Sequence, residues 1–141
     1  MKRDETAMGL TPQAIRFYVR TMDLLDGARI PFLVGGAFAL HHHTGVRRNT
    51  KDLDFFVTRR HVPGALKALS EGGFEVEMTD PKWLAKAVRG RHFVDLIFSS
   101  GNNVCPVDGA WFRHSRPGRI LDRPVRLCPP EEMIWQKAFI M

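Results

Sequence analysis

Cysteine is scarce in this chain of 141 residues, which contains only Cys105 and Cys128. The two residues form no Cys-x-x-Cys pair and have no histidine at zinc-site spacing, so the sequence lacks the usual patterns of zinc and dithiol redox centres. We favour two buried thiols in a reducing compartment. A disulfide between them is the alternative that the sequence leaves open.

Long apolar runs are missing as well. No stretch of about 18 apolar residues occurs, so we expect no membrane-spanning segment and no membrane partner. The first residues, MKRDETAMGLTPQ, contain a basic pair but no apolar run behind it, unlike a secretory signal. We therefore expect a cytoplasmic protein.

Acidic residues are fewer than basic ones, with 15 Asp and Glu against 21 Lys and Arg and a formal net charge of +6. This excess indicates a polyanionic partner, and a nucleotide, an RNA or a DNA would each satisfy it. Five arginines and only one acid lie between Arg113 and Arg126. That segment is either a surface for a nucleic-acid acceptor or simply a basic, solvated face.

Repeats and low-complexity segments are absent too, and helical and extended patterns alternate along the chain. We expect one domain, residues 1–141, of the α/β (α+β) class, with a small mixed sheet flanked by helices. Helices are predicted near residues 11–27, 36–44, 62–72 and 83–88, and from 129 onward. Strands are predicted near residues 31–34, 53–58, 74–78 and 92–98, followed by a hairpin at 120–128. The last predicted helix is still apolar and periodic where the sequence stops at Met141. We expect either that the natural protein continues beyond this residue or that this form is shortened.

Two aspartates, Asp52 and Asp54, carry the most chemical information. They are separated by one residue in an extended run, so both side chains leave the same face of a sheet. Neighbouring carboxylates repel unless a cation intervenes, and a pair of divalent ions can be bridged at this spacing. Hard oxygen ligands favour Mg²⁺. The alternative is that both acids are solvated at a strand end and paired with Arg47 or Lys51.

A third acid, Asp95, lies within the apolar segment Phe-Val-Asp-Leu-Ile-Phe. A buried strand does not tolerate an unpaired charge, so we expect Asp95 to lie next to the metal ions. A private salt bridge is the competing explanation.

Gly35 and Gly36 lie between a predicted strand and a predicted helix. Without side chains they let a phosphate approach the backbone at the helix N-terminus. A tight turn would explain the pair equally well.

Taken together, these motifs resemble the DNA polymerase β-like nucleotidyltransferase superfamily. The resemblance rests on a strand, Gly-Gly, a helix, Asp-x-Asp on the next strand and a single Asp on a later one. The stretch Arg48-Asn-Thr-Lys-Asp-Leu-Asp54 is similar to the Arg-x-Thr-x-Asp-x-Asp form of small bacterial members, including the nucleotidyltransferases of type IV toxin–antitoxin systems. The match covers residues 31–98, with a hairpin and helix at 119–141 following this core.

The resemblance implies a Mg²⁺-dependent transfer of a nucleoside monophosphate from a nucleoside triphosphate (NTP) to a hydroxyl acceptor. Two Mg²⁺ ions, with Mn²⁺ as a substitute, would be bound by Asp52, Asp54 and Asp95, which would also be the catalytic residues. The triphosphate would contact five residues: Gly35, Gly36, Arg48, Thr50 and Lys51.

The acceptor is left open between RNA or tRNA, a protein and a small molecule, and an antitoxin protein is a further expected partner. A catalytically inactive domain of the same fold that binds nucleotide or nucleic acid is the alternative function.

Overall fold

The computed structural model describes residues 11–35, 54–99, 107–121 and 123–128. The helices in these ranges are α1 (Pro12–Gly27), α2 (Val62–Glu71) and α3 (Gly109–Arg113), and a 3₁₀ turn spans Arg59–His61. The strands are β1 (Leu33–Gly35), β2 (Asp54–Phe56), β3 (Glu75–Asp80), β4 (Leu84–Arg89), β5 (His92–Ile97), β6 (Arg116–Ile120) and β7 (Arg123–Leu127). The predicted class, helices combined with a mixed sheet, is confirmed.

All seven strands form one sheet in the order β3-β4-β5-β2-β1-β7-β6. The pairs β2–β5 and β1–β7 are parallel, and the other neighbours are antiparallel. The short strands β1 and β2 therefore lie in the centre of the sheet. They join a three-stranded meander on one side to the β6–β7 hairpin on the other.

Helix α1 begins as its sequence predicts. The hydroxyl of Thr11 accepts a hydrogen bond from the backbone N–H of Ala14 at 3.1 Å, and Pro12 occupies the first turn, where its missing N–H costs nothing. Met22 and Leu25, at helical spacing, are fully buried. The apolar stripe of α1 therefore faces the core, which confirms this element.

The main core lies on one face of the central strands, and part of the other face is buried as well, at Leu33, Phe56 and Ile97. A row of four side chains crosses β1, β2, β5 and β4 in register, and each is fully buried: Val34, Phe55, Leu96 and Ala85. Helix α2 packs against α1 and against β3 and β4. Because side chains alternate along a strand, the residues next to this row leave the opposite face of the sheet.

The predicted helix at residues 83–88 is wrong, because this segment is strand β4. Ala85 and Ala87 are fully buried while Leu84, Lys86 and Val88 are only half-buried, an alternation of period two. Alanine and lysine favour helices in isolation, but pairing with β3 and β5 overrides that weak preference.

The C-terminal hairpin is present but starts earlier than predicted, at Arg116. Helix α3 had no counterpart among the predicted elements. The predicted helices at 36–44 and from 129 onward lie outside the described residues, as does Cys105. Cys128 is buried. Within the described ranges, no helix is both long and apolar enough to cross a membrane.

Candidate functional site

A row of five residues crosses five neighbouring strands on the face opposite the main core: Gly35, Asp54, Asp95, Lys86 and Glu77. We call this set the charged row. Neighbouring strands lie about 4.8 Å apart, so the carboxylates of Asp54 and Asp95 are side by side on one face. Three predicted site residues from distant parts of the sequence are thereby brought together.

The parallel pairing of β2 with β5 fixes the register of the two acids. Asp54 is aligned with Asp95 and Phe56 with Ile97, and the N–H of Val57 donates to the carbonyl of Ile97 at 3.0 Å. The buried Phe55 and Leu96 anchor the two strands from the core side. A slip by one residue would turn the carboxylates toward the main core, so burial of Phe55 and Leu96 keeps the acids on the other face.

Arg59 secures the strand that carries Asp54. Its guanidinium donates to the carbonyls of Pro81 and Lys82, at 3.0 and 2.9 Å. The guanidinium carbon also lies 4.9 Å from the centre of the Phe98 ring. These contacts connect the C-terminal end of β2 to the β3–β4 turn and to the end of β5. They hold β2 and β5 together beyond the last hydrogen bond between the two strands.

Asp95 is partly buried in its apolar strand, and its Oδ1 is shielded from solvent although the side chain as a whole is not. Val94 and Leu96 face the core, whereas the side chain of Asp95 leaves the other face and is 27% exposed. Its Oδ1 lies 3.7 Å from Nζ of Lys86, the residue aligned with it on β4. The salt bridge considered as the competing explanation for Asp95 is therefore present, beside a second carboxylate.

The side-chain chemistry of this row fits a hard divalent cation. Asp54 and Asp95 offer carboxylate oxygens from adjacent strands on the same face. The part of the chain that the structure describes contains no group of three or more His, Cys, Asp or Glu side chains that could hold a metal ion. Asp52, the third predicted ligand, lies outside it. The two described carboxylates would supply only part of the donor set of such a cation.

Five predicted site residues lie outside the described residues: Gly36, Arg48, Thr50, Lys51 and Asp52. Their roles in nucleotide and metal binding stay predictions. Asp52 is two residues before Asp54, which begins β2 at the site.

Packing against Phe56 explains why residue 35 is a glycine. A Cβ atom added at this position would lie 3.0 Å from Cδ1 of Phe56 and closer still to its Cε1. The Phe56 ring is itself stacked on Trp111 of α3, with ring centres 5.4 Å apart. The ring covers the bare backbone of β1, so packing alone accounts for Gly35, whatever its contact with phosphate.

Lys86 is a site residue that the sequence reasoning missed. Its ammonium lies beside Asp95 and also 4.6 Å from the centre of the Phe93 ring, which is 39% exposed. The signal was the alternation Ala-Lys-Ala: if residues 84–89 are read as a strand, the two alanines face the core and the lysine shares the face of Asp95.

The arginines of residues 113–126 do not form one free basic surface. Arg123 pairs with Asp23 and, at 2.5 Å, with Asp26 of α1. Arg126 donates to the hydroxyl and the carbonyl of Ser115, at 2.9 and 2.7 Å. Two of the five arginines therefore hold the hairpin in place, which weakens the case for a nucleic-acid surface here.

Comparison with known proteins gives matches in structure only. No protein-family model matches the chain, and no curated protein sequence matches it. A Thermotoga maritima protein assigned as a nucleotidyltransferase superposes with a TM-score of 0.67 at 14% identity, over 92% of this chain and 85% of that one.

Two similar structures are of proteins linked to antibiotics. ANT(2″)-Ia, solved with adenylyl-2″-tobramycin, gives a TM-score of 0.67 at 21% identity, over 90% of this chain and 75% of that one. The lincosamide antibiotic adenylyltransferase LnuA, solved with lincomycin, gives 0.63 at 14% identity, over 93% and 94%. At these identities the likeness establishes architecture: the chain has the fold of the nucleotidyltransferases.

Proposed function

We propose that this chain is a metal-dependent nucleotidyltransferase that transfers a nucleoside monophosphate from an NTP to a hydroxyl acceptor. The observation that carries the proposal is the charged row, in which Gly35, Asp54 and Asp95 lie on adjacent strands in register. The row occurs in a chain whose fold is that of the nucleotidyltransferases. The sequence and the register of the sheet thus support the same site.

In this proposal Asp54 and Asp95, with Asp52, would hold two Mg²⁺ ions, for which Mn²⁺ would substitute. Such ions, when bound, neutralise charge on phosphate oxygens and lower the pKa of an attacking hydroxyl. The triphosphate would contact Gly35 and Gly36, together with Arg48, Thr50 and Lys51. The protein's part is to place charges and orient the reactants.

The proposed reaction is an in-line displacement at the α-phosphorus. The acceptor oxygen forms a bond to the α-phosphorus, and the bond from that phosphorus to the bridging oxygen breaks. Pyrophosphate leaves with the electron pair. The hydroxyl proton passes to the carboxylate of Asp95, the acid farther from the glycines, which thereby assists deprotonation.

For the acceptor we propose a small hydroxylated molecule. Two of the similar structures, ANT(2″)-Ia and LnuA, were solved with an adenylylated or a free antibiotic, which supports this class. The internal contacts of Arg123 and Arg126 argue against an extended phosphate-binding surface on the hairpin. RNA, protein and an antitoxin partner are the other outcomes that the experiment distinguishes.

The test is incubation of the protein with each α-labelled NTP, Mg²⁺ and fractionated cell extract. Label that moves into the small-molecule fraction supports the whole proposal, whereas label in RNA or protein supports the transfer but changes the acceptor. Asp54→Asn is the matched negative control, because it keeps the shape of the side chain and removes its charge. If no NTP labels any fraction above the Asp54→Asn background, the proposed transfer is wrong.

A further inference from the structure

Lys86 has a defined place at the site. It is aligned with Asp95 on one side and with Glu77 on the other, in the middle of the charged row. Its Nζ lies 3.7 Å from Oδ1 of Asp95, and the two side chains are 32% and 27% exposed. At this separation the contact is an ion pair and not a hydrogen bond, so the ammonium is held by charge and remains movable.

The Lys86 ammonium makes a second contact, with the aromatic ring of Phe93. It lies 4.6 Å from the centre of the Phe93 ring, a distance at which a cation is attracted to the face of an aromatic ring. Phe93 precedes Asp95 by two residues on β5, so both side chains leave the same face. The ammonium can give up Asp95 and stay on the ring, which is open to solvent.

A divalent ion at Asp54 and Asp95 and the ammonium of Lys86 compete for the same carboxylate. Like charges within a few ångströms repel, and Oδ1 cannot pair fully with both. We propose that Lys86 is an internal counter-ion of Asp95, which balances this acid in the metal-free protein and is displaced when a divalent ion binds. The inference rests on the proposed function, since it concerns the same metal site.

The test measures binding of Mn²⁺ alone, by electron paramagnetic resonance of the free ion, so no acceptor or nucleotide is needed. Lys86→Met keeps an unbranched side chain and removes the charge. We expect it to lower the Kd for Mn²⁺ about fivefold, the factor that corresponds to one partly exposed ion pair. Lys86→Arg keeps a cation beside Asp95 and should bind Mn²⁺ as the parent does.

Lys67→Met is the matched control, because Lys67 is exposed on α2, which packs on the core side of the sheet. It makes the same change in net charge away from the charged row and should leave the Kd unchanged. Lys86→Gln, checked by circular dichroism, serves as a second neutral variant if Lys86→Met does not fold.

The outcomes separate this inference from the proposed function. If the parent binds Mn²⁺ and Asp54→Asn abolishes binding, the metal site stands. Unchanged or weaker binding by Lys86→Met then overturns only the role of Lys86, as does equally tightened binding by Lys67→Met. If the parent binds no Mn²⁺ but Lys86→Met does, Lys86 blocks the site and the ion does not displace it, which overturns the displacement. If no variant binds, both the inference and the proposed metal site are wrong.

Discussion

At the level of single residues, Asp95 combines a structural contact with a proposed chemical role. Its carboxylate pairs with Lys86, yet both side chains are partly exposed. An ion pair between partly exposed side chains contributes about 0.2–1 kcal/mol to folding, although Oδ1 of Asp95 is itself shielded from solvent. The position of Asp95 next to Asp54 is therefore not explained by stability alone.

We predict that Asp95→Asn separates catalysis from folding. The substitution keeps the shape of the side chain, so NTP and at least one metal ion should still bind at Asp54. Transfer should fall by about 10²-fold or more, as expected when a group that assists deprotonation is lost. The free energy of unfolding should change by no more than about 1 kcal/mol. Transfer of labelled nucleotide and urea denaturation measure the two effects.

Glu71→Gln is the control for Asp95→Asn, because it neutralises an exposed acid at the end of α2, outside the charged row. It should leave transfer within about twofold, given that surface substitutions away from a site have small effects. A loss of several kcal/mol in Asp95→Asn with little loss of transfer would instead identify a structural ion pair.

At the level of the elements, the pairing of β1 with β2 depends on a bare backbone at Gly35. We predict that Gly35→Ala destabilises the fold by about 1–3 kcal/mol, the usual cost of an overpacked core, because the new methyl group meets the Phe56 ring. Combining it with Phe56→Leu should recover part of this cost, seen as a coupling of about 1 kcal/mol in a double-mutant cycle. Chemical denaturation of the four proteins measures it.

Gly27→Ala is the matched control for this cycle, since a Cβ atom there would meet nothing within 4 Å. It should be neutral or slightly stabilising. Strictly additive effects of Gly35→Ala and Phe56→Leu would contradict the proposed contact. Because Gly35→Ala also disturbs packing, it does not test phosphate binding on its own. Gly36→Val is the better test, and it should block nucleotide binding in a protein that still folds.

The contact between α1 and the β6–β7 hairpin leads to another prediction. Arg123 is 22% exposed and pairs with both Asp23 and Asp26, which joins the two ends of the described chain. Arg123→Met should lower the free energy of unfolding by about 1 kcal/mol, since both acids remain largely in water. Arg116→Met, at an exposed position on the same hairpin, should change it by less than about 0.5 kcal/mol. Equal losses in urea denaturation would argue against the bridge.

The elements with local signals were predictable and the others were not. Helix α1 has a capping Thr11, a proline in its first turn and a continuous apolar stripe, all readable from the chain. Strand β4 contains Ala, Lys and Val in a pattern too short to separate period two from period 3.6. Helix α3 has only five residues, and its one clear signal is Asp108, whose carboxylate accepts from the N–H of Ala110 at 2.9 Å.

The candidate site was predicted in composition but not in geometry. Asp-x-Asp and the later Asp95 were conspicuous because carboxylates in apolar strands need a reason. The alignment of Asp54 with Asp95 depends on which strands pair and in which register, and that follows from long-range packing of Phe55 and Leu96. The contact of Asp95 with Lys86 could not be predicted from the sequence either, because Lys86 joins the charged row only through the pairing of β4 with β5.

For the molecule as a whole, the two candidate functions, enzyme and inactive binding domain, would bind a nucleotide through different charged groups. The proposed enzyme would hold the triphosphate through metal ions on its carboxylates. An inactive domain that binds nucleotide through its excess of basic residues, 21 against 15 acidic ones, needs no metal at all. The overall charge of +6 is compatible with both, so the dependence of binding on metal is the property that distinguishes them.

Thermal stability of the whole chain reports this dependence, because a ligand that binds only the folded state raises Tm. A ligand at roughly 100 times its Kd stabilises by about 2.7 kcal/mol, which for a domain of this size raises Tm by about 9 °C. We expect such a shift with MgATP in the parent, if ATP is a bound NTP, and expect it to disappear with EDTA and in Asp54→Asn. A shift that survives both, and falls steeply with added salt, would mean that basic residues bind the nucleotide without the carboxylates. That result would favour the inactive binding domain over the enzyme.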